Sequence, residues 1–229
     1  MIGDQKKAEL HHHNSTEKIP PLKSDCKSSR KKTKVIKIDA KKKIKSETKN
    51  DTNTKNEGTK SYASIKAKAD KGDSSAAYTY AELIESGKII SISKLDSIKY
   101  YKMSADHGNI AGMNKYGEIL KKGEGVEINK KEAAKYFKMA ADAGNSDGMV
   151  NYGIALENGE GVEINKKEAA RYYKMSADAG NPSGMNKYGF MLAKGEGVAV
   201  NKEEAARYFK MSADAGNPNG MNNYGFMLA

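Results

Sequence analysis

Hydrophobic and polar positions follow two regimes that change near residue 61. From there on, apolar and small residues recur every 36 positions without insertion: Gly112-Met113, Gly148-Met149, Gly184-Met185 and Gly220-Met221, with Tyr116, Tyr152, Tyr188 and Tyr224 in step. Residues 148–183 and 184–219 agree at 25 of 36 positions. Such a period is the mark of a repeat architecture and takes precedence over any other reading. Within one period, Gly112, Met113, Tyr116, Gly117 and Leu120 share one face at 100° per residue, which predicts a first helix. Ala133, Ala134, Tyr136, Phe137, Ala140 and Ala141 do the same for a second.

The punctuation between these stretches agrees with two helices per unit. Gly123-Glu124-Gly125 stops the first helix, because glycine adopts the left-handed conformation of a helix end at little cost. Asn129…Glu132 has capping-box spacing, repeated as Asn165…Glu168 and Asn201…Glu204, and as Ser93…Asp96 with the shorter acid. Gly144 ends the second helix, and Asn145, Asn181-Pro182 and Asn217-Pro218 open the units that follow. Gly112 and Gly117 sit inside helices, where each costs about 1 kcal/mol relative to alanine. Their recurrence predicts close helix-to-helix approach, with Ala140 and Ala141 as small facing residues.

The expected fold is therefore all-α, an α/α solenoid of 36-residue helix-turn-helix repeats: 76–111, 112–147, 148–183 and 184–219. A partial cap at 61–75 precedes them and a truncated repeat at 220–229 follows. Tyr62–Asp70 aligns with a second helix, so the cap is expected to close the stack. The last residues fall inside a first helix, and an uncovered edge there predicts self-association or fraying.

Charge separates the two regimes. The chain of 229 residues carries a formal +11, yet residues 1–60 hold 17 Lys+Arg against 8 Asp+Glu, a net of +9. The repeat region is nearly neutral. Residues 1–60 lack Phe, Tyr and Trp and show no helical period, so a disordered Lys-rich tail is expected. Two basic runs, Arg30, Lys31, Lys32, Lys34 and Lys41, Lys42, Lys43, Lys45, match either a nuclear-import address, an anion or nucleic-acid patch, or a solvated tail. Phosphate contacts by such a tail would be weak and blind to sequence. His11-His12-His13 reads as incidental or as a tag remnant, and Cys26 has no local partner to activate it. No run approaches the ~20 apolar residues of a membrane span, and the N-terminus lacks the apolar core of a secretory signal. An intracellular, cytoplasmic protein is expected, with the nucleus as the alternative.

The unit from Gly112 to Asn145 resembles a SEL-1-like repeat of the tetratricopeptide-like class. The resemblance rests on Tyr116-Gly117, Gly123-x-Gly125-Val126, Asn129, Ala133, Tyr136-Phe137, Ala140-Ala141 and Gly144. It covers about 170 residues in register. This chain departs from the pattern in Gly112 for alanine, Tyr116 for leucine, Leu120 for tyrosine and Asn129 for aspartate. The cysteine-bridged secreted branch is excluded, since the repeats hold no cysteine. The resemblance implies a right-handed superhelix acting as an adaptor or scaffold.

No catalytic, cofactor or metal constellation is expected. His107 is replaced by alanine in the later units, and Asp106, Asp142, Asp178 and Asp214 fall one per repeat. The Gly-x-Gly-Val turns follow helices and lack a full dinucleotide fingerprint. A protein or peptide partner is expected instead, and no small-molecule substrate. It should touch first-helix positions opposite the apolar face. One column reads Asn114, Val150, Asn186, Asn222; the next Glu118, Ile154, Phe190, Phe226; the flanking one Lys115, Asn151, Lys187, Asn223. These predict amides and lysines for a peptide backbone or carboxylates, beside an apolar patch at Phe190 and Phe226. The alternative function is a nuclear or nucleic-acid-associated factor working through the tail.

Overall fold

A computed structural model describes residues 61–90 and 92–228. The expected disordered tail, with its basic runs, histidine triplet and Cys26, lies outside the described residues. Among the described residues there are ten helices and no strand. Helix α1 covers 61–69. The others are α2 (Ser74–Glu85), α3 (Asp96–Asp106), α4 (Ile110–Lys122), α5 (Lys130–Asp142), α6 (Ser146–Asn158), α7 (Lys166–Asp178), α8 (Pro182–Lys194), α9 (Lys202–Asp214) and α10 (Pro218–Leu228). From α2 to α10 each packs on its neighbours in sequence, and α2, α6 and α8 also touch the first helix of the next unit, α4, α8 and α10. The result is an α/α solenoid whose first helices line one side.

Local chemistry sets the helix ends. The side chains of Asn109, Asn145 and Asn181 accept from the backbone N–H of Gly112, Gly148 and Gly184 at 2.8, 2.6 and 3.1 Å. Asn129, Asn165 and Asn201 accept from Glu132, Glu168 and Glu204, each at 3.0 Å. The reciprocal half of the expected capping box is absent. The backbone N–H of Asn129 donates instead to the Leu120 carbonyl at 2.9 Å, and Asn165 and Asn201 do the same with Leu156 and Leu192. That bond ties the end of each first helix to the start of the second, and Glu132 and Glu204 reach back instead to the cap side chains, accepting from Asn129 Nδ2 at 3.3 Å and Asn201 Nδ2 at 3.0 Å. The Ser93…Asp96 box does not form either: α3 starts at Asp96 with Leu95 at its cap and no side-chain cap bond, and the Ser93 hydroxyl accepts from Leu95 N–H at 3.2 Å.

Both families of helical glycine mark close approaches, but with different partners. A β-carbon on Gly148 would lie 2.7 Å from Ala140 Cβ, and one on Gly112 would strike Ser104. The expected small facing residue is therefore correct for this family. Ser104, Ser176 and Ser212 are buried there, each hydroxyl donating to a carbonyl 30 residues earlier (Ser74, Ser146, Pro182) at 2.7–2.8 Å. Gly117, Gly153 and Gly189 face aromatic rings instead, Phe137, Tyr173 and Phe209 of their own units. A flat ring laid on a bare helix backbone fills the interior at the density that a packed core requires.

Units are also latched by polar contacts. Tyr136 donates to Asp106 at 2.6 Å, Tyr172 to Asp142 at 3.3 Å, and Tyr100 to Asp70 of α1 at 3.1 Å. Of the recurring aspartates, Asp106 and Asp142 serve as these latches, while Asp178 and Asp214 pair with Lys174 and Lys210 of their own helices at 2.7 Å. The same bond at Asp70 makes α1 the second helix of a half-unit, as its alignment predicts.

Candidate functional site

The three columns of candidate residues lie on the first helices, and their geometry depends on how those helices meet. Asn151 Nδ2 donates to Asn114 Oδ1 at 2.9 Å, and Asn223 Nδ2 to Asn186 Oδ1 at 2.9 Å, so amides pair across neighbouring units. Asn114 also donates to Glu118 Oε1 at 3.0 Å. The structure corrects two expectations. Val150 is only 8% exposed, because this column falls in the seam between adjacent first helices, and Ile154 is half-buried against the core. Nor are the lysines free for a ligand's carboxylates. Lys115 pairs with Glu85 at 3.1 Å and Lys187 with Glu157 at 3.2 Å, each reaching back to the preceding unit. Phe190 is 37% exposed, with the Lys194 ammonium 5.8 Å from its ring centre, and Phe226 is 74% exposed. Asn222 is exposed beside it.

An alternation of two units, 72 residues, emerges from these contacts. Tyr101 donates to Glu85 Oε2 at 2.6 Å, and Glu85 takes Lys115; Tyr173 donates to Glu157 Oε2 at 2.6 Å, and Glu157 takes Lys187. In the units between and after, the matching positions are Phe137, Lys121, Asn151 and Phe209, Ala193, Asn223. The signal was present in the sequence, as three columns that change together 16 and 30 residues apart.

These triads give the fold a pH dependence. Burial, then the hydrogen bond to its glutamate, pushes the phenols of Tyr101 and Tyr173 well above the usual range. Burial works to raise the Glu85 carboxyl, but the bonds from Tyr101 and Lys115 hold it below its ordinary value. Both signs follow from linkage. A raised phenol contributes stability that is complete below about pH 10, the unfolded value, and lost as pH rises beyond it. The depressed carboxyl contributes stability present above about pH 4.3 and lost on acidification. In an alkaline titration followed by tyrosinate absorbance and circular dichroism, Tyr101 and Tyr173 are expected to ionise only as helix signal is lost. Complete tyrosine titration near pH 10 with helix intact would refute this.

A second surface, missed in the sequence, lies on the second-helix side. Between α5 and the next unit, a cleft of about 490 Å³ is lined by Lys131, Ala134, Lys135, Tyr152, Gly161 and Val162, among others. An equivalent one of about 260 Å³ recurs a unit later, at Lys167, Ala170, Arg171, Tyr188, Gly197 and Val198.

Among the described residues, no group of three His, Cys, Asp or Glu side chains is placed to hold a metal ion, and no helix is long and apolar enough to cross a membrane. His107 Nδ1 lies 2.8 Å from the Met103 carbonyl of its own helix.

Comparison with known proteins follows the same lines. The model of the Sel1 repeat matches residues 74–109, 110–145, 146–181 and 182–217, with each unit starting where a first helix starts. Among solved structures, a Sel1 repeat protein from Oxalobacter formigenes superposes with a TM-score of 0.66 at 25% identity, covering 71% of this chain. The protein c5321, a protective antigen present in uropathogenic Escherichia coli strains and displaying an SLR fold, gives 0.67 at 24% identity over 72%. The chain spans 65% of the length of the first and 36% of the second. No curated protein matches it. Sel1 repeat proteins are generally non-catalytic scaffolds for protein interaction. With four matched repeats over most of its length and the helix pairs, caps and glycine contacts in register, the chain belongs to the Sel1 repeat family.

Proposed function

We propose that this chain is a non-enzymatic scaffold or adaptor that holds a partner protein or peptide on the first-helix face of its solenoid. The observation that carries the reading is the pair Phe190 and Phe226, large aromatic side chains left exposed one turn beyond the Asn186–Asn223 amide pair. Exposed aromatics beside polar groups that fix orientation are what binding surfaces share. With Lys115 and Lys187 neutralised by Glu85 and Glu157, recognition rests on the amides and the rings rather than on cation–carboxylate contacts. Family membership supports the scaffold role, and the partner is chosen by this chain's own columns. A Phe190→Ser, Phe226→Ser double variant is expected to lose at least ten-fold in partner recovery by affinity purification, while its circular dichroism is unchanged. Equal recovery from variant and parent would overturn the proposal.

A second reading is favoured by the +9 charge of residues 1–60: a nuclear or nucleic-acid-associated role exerted by the tail. Deleting residues 1–60 separates the two. A scaffold keeps its partner, whereas a tail-driven binder loses it and weakens steeply with salt beforehand.

A further inference from the structure

The dipeptide Asn-Gly occurs twice in the chain, at Asn158-Gly159 and Asn219-Gly220. Elsewhere among the described residues, Asn222 apart, the asparagines cap helices or pair across first helices. Asparagine is thermally labile because its side-chain carbonyl carbon can be attacked by the next backbone nitrogen. A following glycine has no β-carbon to hinder that approach and turns freely.

The two sites differ in what holds the attacking nitrogen. Gly220 is buried in the first turn of α10, and its N–H donates to the Asn217 side chain at 3.0 Å. A β-carbon there would strike Ser212, so the backbone has no room to turn. Asn158 is the exposed last residue of α6, and Gly159 has already left the helix, with φ of +71°. The Gly159 N–H donates to the Ala155 carbonyl, which also accepts from Glu160 N–H at 2.9 Å. Releasing the Gly159 nitrogen therefore leaves no carbonyl without a donor. Helix ends open at little cost in free energy.

We propose that Asn158 is a site of spontaneous deamidation, and that its isoaspartyl product loosens the seam between the second and third units. The Gly159 nitrogen gives its proton to water or hydroxide and bonds to Asn158 Cγ, and ammonia leaves after taking a proton from solvent. The product is a five-membered succinimide, which water then opens. Cleavage between the nitrogen and Cγ gives aspartate. Cleavage between the nitrogen and the main-chain carbonyl carbon gives isoaspartate, whose backbone runs through Cβ and Cγ. The sum is amide plus water to carboxylate plus ammonium, with nothing oxidised or reduced.

Either product puts a carboxylate at the C-terminal end of α6, where the helix dipole disfavours it. At the same place α4 and α8 carry Lys122 and Lys194. Isoaspartate also lengthens the backbone by one carbon just before Gly161, which lies so close to the Lys130 carbonyl group that a β-carbon has no room. Glu160, bridging Lys121 and Lys130, would shift with it. None of this depends on the Phe190–Phe226 face.

The test ages the full chain in warm, mildly alkaline buffer and maps its tryptic peptides by mass spectrometry. Replacement of –NH2 by –OH is expected at least five-fold faster at Asn158 than at Asn219, with isoaspartate identified by electron-transfer fragmentation. The aged parent is expected to melt several degrees lower in proportion to its isoaspartyl fraction. Asn158→Lys, which installs the residue of the neighbouring units, should abolish the change at this position and keep the melting temperature constant on ageing. Asn158→Asp carries the charge without the longer backbone and should lose less than the isoaspartyl form. Conversion at Asn158 no faster than at Asn219 would overturn the proposal. So would isoaspartate formation without a change in melting, or an Asn158→Asp variant that reproduces the whole loss.

Discussion

A Gly161→Ala variant is expected to melt about 4–20 °C below the parent protein, for a loss of about 2–5 kcal/mol at 2–4 °C per kcal/mol in a chain of this size. Gly161 has φ of +78°, where an alanine is strained by about 1–2 kcal/mol. Its β-carbon would also be driven into the carbonyl group of Lys130, at the start of the helix in the unit before. Backbone there cannot give way without breaking the seam, and overpacking adds about 1–3 kcal/mol. The seam also carries Glu160, paired with Lys121 at 2.7 Å and with Lys130 at 3.4 Å, so a shifted loop would disturb charges as well. Gly125→Ala is the internal control. It has the same φ, +77°, but its β-carbon meets only the side-chain ends of Leu95 and Ile98, which can move. Its melting shift should be about half as large. Equal shifts in thermal melts of the two variants would show that the clash with Lys130 is not the cause.

The contrast between these two glycines also explains what sequence could and could not reveal. Helices, their ends and the period follow from signals within a few residues of each other, such as Asn165 and Glu168, and the structure places them as expected. The exceptions are instructive. Ser93 and Asp96 have the spacing of a cap but do not make one, because the turn begins its helix at Asp96 with Leu95 at the boundary. The columns opposite the apolar face were identifiable by elimination, yet their state was not. Whether Lys187 is free depends on Glu157, thirty residues away, and that distance is closed only by the pitch of the stack. Val150 is buried for the same reason, since helix spacing rather than helical phase decides what enters the seam. Comparing columns across units, and not only along them, would have exposed the 72-residue alternation.

That alternation carries the second large effect. Tyr173→Ala is expected to cost about 3–5 kcal/mol, since it empties the place of a fully buried ring packed on Gly153. Tyr173→Phe keeps the ring and removes only the hydroxyl that donates to Glu157, which should cost about 1 kcal/mol. The informative variant is the triple Tyr173→Phe, Glu157→Ala, Lys187→Asn, which installs the set that the fourth unit uses naturally, Phe209, Ala193 and Asn223. Glu157→Ala alone strands the buried Tyr173 hydroxyl, and Lys187→Asn alone removes a counter-charge from Glu157. Together the three changes remove the whole polar triad and leave nothing unpaired. The triple variant should therefore be more stable than the sum of its single changes predicts, by about 0.5–3 kcal/mol, as contacting residues in one network behave. Chemical denaturation of the single, double and triple variants measures that difference directly. Strict additivity would mean that Tyr173, Glu157 and Lys187 touch without cooperating, and that the two-unit alternation has no energetic basis.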